Sequence, residues 1–187
     1  MEFDWINIES VDDTVIDKFD CGNHAFNDFI QKQAKKWNAA GESVTYVFAD
    51  IDEIKNHAVT RIYGFASINT LGLLFNNGKQ NEYLPCAEIR LFAIAKQLRK
   101  HHDQTVLWSD IIFKTLLQNL YHMSTGIIGF KAIFLNANHD GYQLYIDNGF
   151  EIIKEYTVPQ IDLKIEIEEC TPLLLMITSK MIDNIFL

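Results

Sequence analysis

The sequence predicts one mixed α/β domain, and three observations carry that prediction. Segments of helical periodicity interleave with segments rich in β-branched and aromatic residues, in the order helix, two or three strands, strand, helix, strand, helix, strand and a closing strand. The length of 187 residues suits a single domain spanning residues 1–187. The composition, 48% hydrophobic and 12% aromatic with only three prolines, is that of a chain with a packed core rather than a disordered one.

Each element has its own warrant. From Asn23 to Trp37 the apolar residues Phe26, Phe29, Ile30, Ala34 and Trp37 recur at helical spacing, and Asn23 stands where an N-cap belongs. Ser43 to Asp50 and Thr60 to Asn69 read as paired strands separated by the polar IDEIKNHAV. Ala87 to Ile94, AEIRLFAI, reads as a strand buried on at least one face. Ile112, Phe113, Leu116, Leu117 and Leu120 form a second helical stripe from Ser109, its expected cap, to His122. Lys131 to Ala137 is a short strand, and Asn138 opens a helix that Gly149 ends near Asn148. Phe150 to Tyr156, the alternating Ile161 to Glu169 and the apolar Pro172 to Ser179 are expected to be strands.

Charge and cysteine usage narrow the functional classes. Asp and Glu outnumber Lys and Arg by 25 to 16, and a net charge of −9 disfavours a broad nucleic-acid-binding face. No apolar run approaches the roughly 20 residues of a membrane span, and the start is acidic where a signal peptide is basic, so a cytoplasmic protein without a membrane is expected. Cys21, Cys86 and Cys170 lack CxxC spacing, and the adjacent His101 and His102 lack a third partner at ligand spacing, so no metal site is expected.

Two segments carry a family resemblance. Leu144-Tyr145, three residues, then Gly149-Phe150 looks like the Phe-Tyr-x-x-x-Gly-Phe signature of the GNAT superfamily of acyl-CoA-dependent N-acetyltransferases, and AEIRLFAI looks like that family's fourth strand. The resemblance implies a mostly antiparallel central sheet of six or seven strands, splayed in the middle, with helices on both faces. It implies that Tyr145 gives a proton to the leaving thiolate of acetyl-CoA. A phenol titrates near 10 and a thiol near 8.5, so a neutral tyrosine is a sensible donor. It also implies that Glu88 takes a proton from the acceptor amine, and that a strand bulge at Phe92, Ala93 and Ile94 frees backbone N–H groups for the pantetheine arm.

The family's pyrophosphate loop is Arg/Gln-x-x-Gly-x-Gly/Ala, and here the match departs. Ala95 to Trp108 contains no glycine; Arg99 stands for the opening residue, with Lys100, His101 and His102 where the glycine turn belongs. Side-chain cations would then replace part of a backbone cradle. Asn136 is placed as a pantetheine contact, Asn138 as a cap first, His139 as a surface residue and Tyr142 as packing.

FDCGNHAFNDFIQKQAKK, Phe19 to Lys36, resembles the opening of the GNAT branch that includes toxins acetylating aminoacyl-tRNA, with Phe26-Asn27 and Phe29-Ile30 at the branch's helical positions. Cys21 reads there as buried packing rather than a nucleophile. The leading expectation is an acetyl-CoA-dependent transferase acting on a small-molecule or peptide amine by direct attack. A GNAT-fold protein that no longer uses CoA, and a toxin acetylating aminoacyl-tRNA, stand as alternatives. The oligomeric state is left open.

Overall fold

The computed structural model describes residues 2–76, 81–99, 102–103, 106–154, 156–157 and 170–178. The expected strand at Ile161 to Glu169 lies outside the described residues. The chain folds as two compact units, Met1–Asn69 with Arg90–Leu116 and Thr70–Ile89 with Leu117–Leu187. Strands β3 (Gly64–Asn76) and β4 (Asn81–Ile94) and helix α5 (Trp108–Gly126) each run through both.

In the first unit, β1 (Phe3–Asn7), β2 (Val44–Asp50) and β3 form an antiparallel ladder, Phe3 opposite Asp50 and Thr45 opposite Ser67. A short helix, α1 (Asp13–Ile16), precedes a long helical stretch: α2 (His24–Asp28), one π-helical segment at Phe29–Gln33, and α3 (Ala34–Ala40). The Asn23 side chain accepts from the Ala25 and Phe26 N–H groups, as the sequence predicts, and Gly41 ends the stretch in the left-handed region at φ 72°. Alternation along the strands gives this unit two covered faces. Phe29, Ile30 and Ala34 pack with Val47, Phe65 and Ala93, whereas Ile112 of α5 packs with the neighbouring positions Phe48 and Ile94.

Strand β1 is absent from the sequence reading, and the polar IDEIKNHAV contains α4 (Ile51–Lys55), opened by the Asp50 carboxylate accepting from the Asp52 N–H at 2.9 Å. Helix α5 begins one residue before Ser109 and runs past His122, so Ser109 lies inside the first turn and is not the cap. Strand β3 starts later and ends later than predicted. Its interior glycine is a seat for a cross-strand ring: a Cβ on Gly72 would come within 2.0 Å of the Tyr83 ring.

In the second unit β4 pairs in parallel with β7 (Ala132–Ala137), which pairs antiparallel with β10 (Thr171–Met176), which pairs with β8 (Glu151–Ile152). The expected strand Phe150 to Tyr156 is broken: β9 (Tyr156–Thr157) leaves β8 and pairs with Leu74 and Phe75 of β3. One buried cluster here joins Leu73, Cys86, Ala132 and Phe134, and Ile133, Leu135 and Leu173 are buried as well. The hydrogen-bonded order along the main path is β1-β2-β3-β4-β7-β10-β8, seven strands, with β4–β7 the one parallel pairing among the described ladders. This is the mixed, mostly antiparallel architecture that the sequence predicts. No helix among the described residues is long and apolar enough to cross a membrane.

Candidate active site

Helix α6 (Tyr142–Asp147) positions the tyrosine of the sequence signature, and the spacing of that signature has a local physical cause. The Phe150 N–H donates to the Tyr145 carbonyl (3.1 Å), the Gly149 N–H donates to the Ile146 carbonyl (3.0 Å), and Gly149 has φ 86°. These are the two bonds of a Schellman helix end, with Gly149 as the left-handed residue. The apolar contact that accompanies such an end is present too: the Tyr145 and Phe150 rings lie 6.0 Å apart, tilted by 57°. Tyr-x-x-x-Gly-Phe is therefore one structural unit that closes α6 and anchors the tyrosine ring.

Tyr145 is 8% exposed, and burial pushes its phenol well above the usual tyrosine range, with the nearby Cys170 adding to the shift. The phenol therefore keeps its proton at neutral pH. A Cβ built on Gly141 would lie 2.8 Å from Cε2 and 3.1 Å from the hydroxyl oxygen of Tyr145. The Asn138 side chain accepts from the Gly141 N–H (3.0 Å), so Asn138 caps the turn that leads into α6. His139 is fully exposed. Gly141 and Cys170 were not singled out in the sequence; for Gly141 the signal was a glycine four residues before the tyrosine.

Glu88 lies on β4 opposite Phe134 and shares its face of the parallel ladder. Phe134 makes an edge contact with Tyr156 at 5.7 Å, and the Tyr156 phenol is raised by burial and then by the Glu88 charge. The helix end of α6 covers the other face. A Cβ on Gly149 would meet Leu175 Cδ1 at 3.7 Å, and Leu175 pairs with Ile133, one residue before Phe134 and so on the opposite face. Glu88 and the tyrosine-bearing helix thus stand on opposite faces of the β4–β7 pair.

That pair stops early. The parallel register runs from Cys86 opposite Ala132 to Ile89 opposite Leu135, although β4 continues to Ile94 and β7 to Ala137. Asn136, the first β7 residue past the end of the ladder, is exposed. Just past the same point on β4 the side-chain alternation slips: the Arg90 guanidinium stacks 4.6 Å over Trp37, and the adjacent Leu91 packs against the cluster that also carries Trp37. From there alternation is regular, with Ala93 in that cluster and Phe92 and Ile94 in the other. Arg90 and Leu91 thus send two consecutive side chains toward one cluster, directly before the Phe92 to Ile94 segment where the sequence resemblance places a break.

The segment after β4 turns through a 3₁₀ helix at Lys96–Leu98 and includes the short β5 (His102–Asp103) and β6 (Val106–Leu107). Lys100 and His101 lie outside the described residues. Arg99 is exposed. With Lys96 it faces the Asp20–Asn23 turn: the Lys96 N–H donates to the Asp20 carbonyl (2.8 Å), and a Cβ on Gly22 would sit 3.5 Å from the Lys96 stem. The Asp20 carboxylate accepts from the Asn27 amide (2.8 Å) and the Gly22 N–H (2.7 Å), which hold its pKa below the usual range, and the charges of Lys96 and Arg99 add to this. Asn27 in turn accepts from the Cys21 N–H (3.0 Å) and thiol (3.1 Å). Cys21 is fully buried, and burial raises its thiol pKa. The cysteine is packing, as its sequence context indicates, and the Phe-x-Cys-Gly-Asn segment is a turn clasped by Asn27.

No family model matches the chain. Solved structures do match it along nearly its whole length. The toxin AtaT complexed with acetyl-methionyl-tRNAfMet superposes with a TM-score of 0.65 at 16% identity, covering 100% of both chains. A Tyr-to-Phe mutant of AtaT bound to the C-terminus of the antitoxin AtaR and acetyl-CoA gives 0.66 at 16% identity, covering 100% of this chain and 99% of that one. The KacTA–DNA complex gives 0.64 at 20% identity, covering 99% and 98%.

The chain has the GNAT fold.

Proposed function

We propose that this GNAT-fold chain is an N-acetyltransferase that takes acetyl groups from acetyl-CoA, works in the cytoplasm, and acts as one acyltransferase domain through which β3, β4 and α5 run continuously. The observation that carries the proposal is the early end of the β4–β7 ladder at Ile89 and Leu135, with Glu88 on one face and the tyrosine helix on the other. A thioester bound at the end of this strand pair would be reached by an amine from one face and by a proton donor from the other.

Acetyl-CoA supplies an activated acyl group on a thiol leaving group. In the proposed reaction Glu88, through water, takes a proton from the acceptor ammonium, which titrates near 10.4 for an alkyl amine and about 7.7–8.0 for an α-amine and cannot attack while protonated. A backbone N–H in the Phe92 to Ile94 segment polarises the thioester carbonyl. As the C–N bond forms and the C–S bond breaks, Tyr145 gives its proton to the departing sulfur, the nitrogen loses its second proton to solvent, and the phenol is reprotonated from solvent. Asn136 holds the pantetheine amides, and Arg99, with Lys100 and His101, answers the phosphates with side-chain charge.

For the acceptor we favour the α-amine of an aminoacyl-tRNA over a free small amine. AtaT, which shares the fold at 16% identity, is seen with acetyl-methionyl-tRNAfMet, and the net charge of −9 weighs less than that, because a local surface rather than the total charge meets a nucleic acid. The Phe19 to Lys36 segment points to the same branch. The antitoxin seen with AtaT suggests a protein partner as well. Incubation with labelled acetyl-CoA and a pool of charged tRNA tests the reading: label should appear on aminoacyl ends. Label on small amines alone would remove tRNA as acceptor and keep the transferase. No label on either, with no thermal shift at millimolar acetyl-CoA, would leave a fold without the activity.

A further inference from the structure

Gly141 is the residue the signature does not include and the geometry does. The Tyr145 ring folds back over the first turn of α6 and occupies the volume that a side chain at Gly141 would need: the missing Cβ would stand 2.8 Å from Cε2, 3.1 Å from the hydroxyl oxygen and 3.2 Å from Cζ. Cβ atoms essentially never approach another heavy atom within 3.0 Å. With any side chain at 141 the ring must swing or the backbone must shift.

The backbone itself does not ask for glycine. Gly141 has φ −94° and ψ −15°, a conformation open to every L-residue. It makes no turn that requires a positive φ; among the described residues the glycines that do have one are Gly22, Gly41 and Gly149. Judged on the backbone alone, alanine here would restrict the unfolded chain and stabilise the fold slightly. The three atoms nearest to the missing Cβ all belong to the Tyr145 ring and its hydroxyl, so the bare position leaves room for the phenol.

We propose that Gly141 is a positioning residue for Tyr145, setting the height of its hydroxyl over α6 so that the proton is delivered where the leaving sulfur forms. The inference rests on the proposed acetyl transfer. It adds that the ring is placed by two neighbours in the chain, Phe150 across the helix end and the bare backbone of Gly141. A positioned donor gains from orientation that a merely adjacent one lacks, and a displacement of about 1 Å at such a group costs on the order of a hundredfold in rate.

The test is a double-mutant cycle in the full chain, with Gly141→Ala and Tyr145→Phe. Gly141→Ala should lower kcat at least tenfold while leaving the KM for acetyl-CoA within twofold. In the Tyr145→Phe background it should cost nothing further, because the hydroxyl it misplaces is already gone. A Gly141→Ala enzyme with kcat within twofold of wild type would overturn the proposal, and so would effects that multiply.

A readout independent of activity separates this from the transferase reading itself. The aromatic NMR signals of Tyr145, assigned by their loss in Tyr145→Phe, should move in Gly141→Ala, and unmoved signals would overturn the positioning role even if the wild type transferred nothing. Should Gly141→Ala fail to fold, the Gly141→Ala, Tyr145→Ala double variant must recover the melting temperature of Tyr145→Ala alone. No recovery would show that the clash is not with the ring.

Discussion

Tyr145 is 8% exposed, and that burial pushes its phenol upward. The shift keeps it neutral, which is what a proton donor to sulfur requires. Tyr145→Phe is therefore expected to lower kcat by about a hundredfold or more, the usual worth of one general acid, with the KM for acetyl-CoA little changed. Steady-state kinetics on both substrates check this, and a wild-type kcat would remove Tyr145 from the chemistry. Since a raised pKa retains the proton to higher pH, loss of activity below pH 10 should not be set by this phenol. Glu88→Gln acts on the other proton. Its rate loss should be largest at low pH, where the amine is hardest to deprotonate, and a pH–rate profile parallel to wild type would return Glu88 to a packing role beside Phe134 and Tyr156.

Among elements, α6 shows how a short helix is made to hold one side chain. Its six residues are too few to be stable alone, and the hydrogen bonds at Gly149 and Phe150 supply the missing closure. Gly149→Ala forces a side chain into φ 86° and should cost about 1–2 kcal/mol. A denaturation midpoint unchanged from wild type would show that the helix end adapts. The spacing Tyr-x-x-x-Gly-Phe is thus readable in sequence because it is local: the Gly and the Phe are required by the helix end, and the Tyr by its contact with the Phe. The Asp20–Asn27 turn is readable for the same reason, its partners lying within seven residues of one another. Asn23 capping α2 is a further local case, whereas Ser109 misled because a capping residue type recurs inside helices, and the helix start was decided by the chain entering from β6.

At the scale of the molecule, buried acids set the alkaline limit. Cys86 has its thiol raised by burial to about 11 from 9.0, so the folded chain holds this proton where the unfolded chain has lost it. The sign follows: this contribution to stability is complete below pH 9.0 and is lost as pH rises toward about 11. Tyr145, also raised, extends the decline above pH 10. Melting temperature should fall across that window, and Cys86→Ala should flatten part of the fall; a curve identical to wild type would assign the loss to other groups.

The sequence settled whatever depends on near neighbours: the helical stripe from Phe26 to Trp37, the strands around Val47 and Phe134, the cap at Asn23, the left-handed Gly149, and the class of fold these add up to. Periodicity and capping are set by residues within a few positions, so they are written where they act. Three things were left to tertiary structure. One is the point where β4 and β7 part, since a ladder's end depends on two strands about 45 residues apart in the chain. Another is the opposition of Glu88 and α6 across that pair, which follows from register and not from either segment. The last is the fit of a phenol over Gly141, because an empty volume has no letter in a sequence until a neighbour fills it.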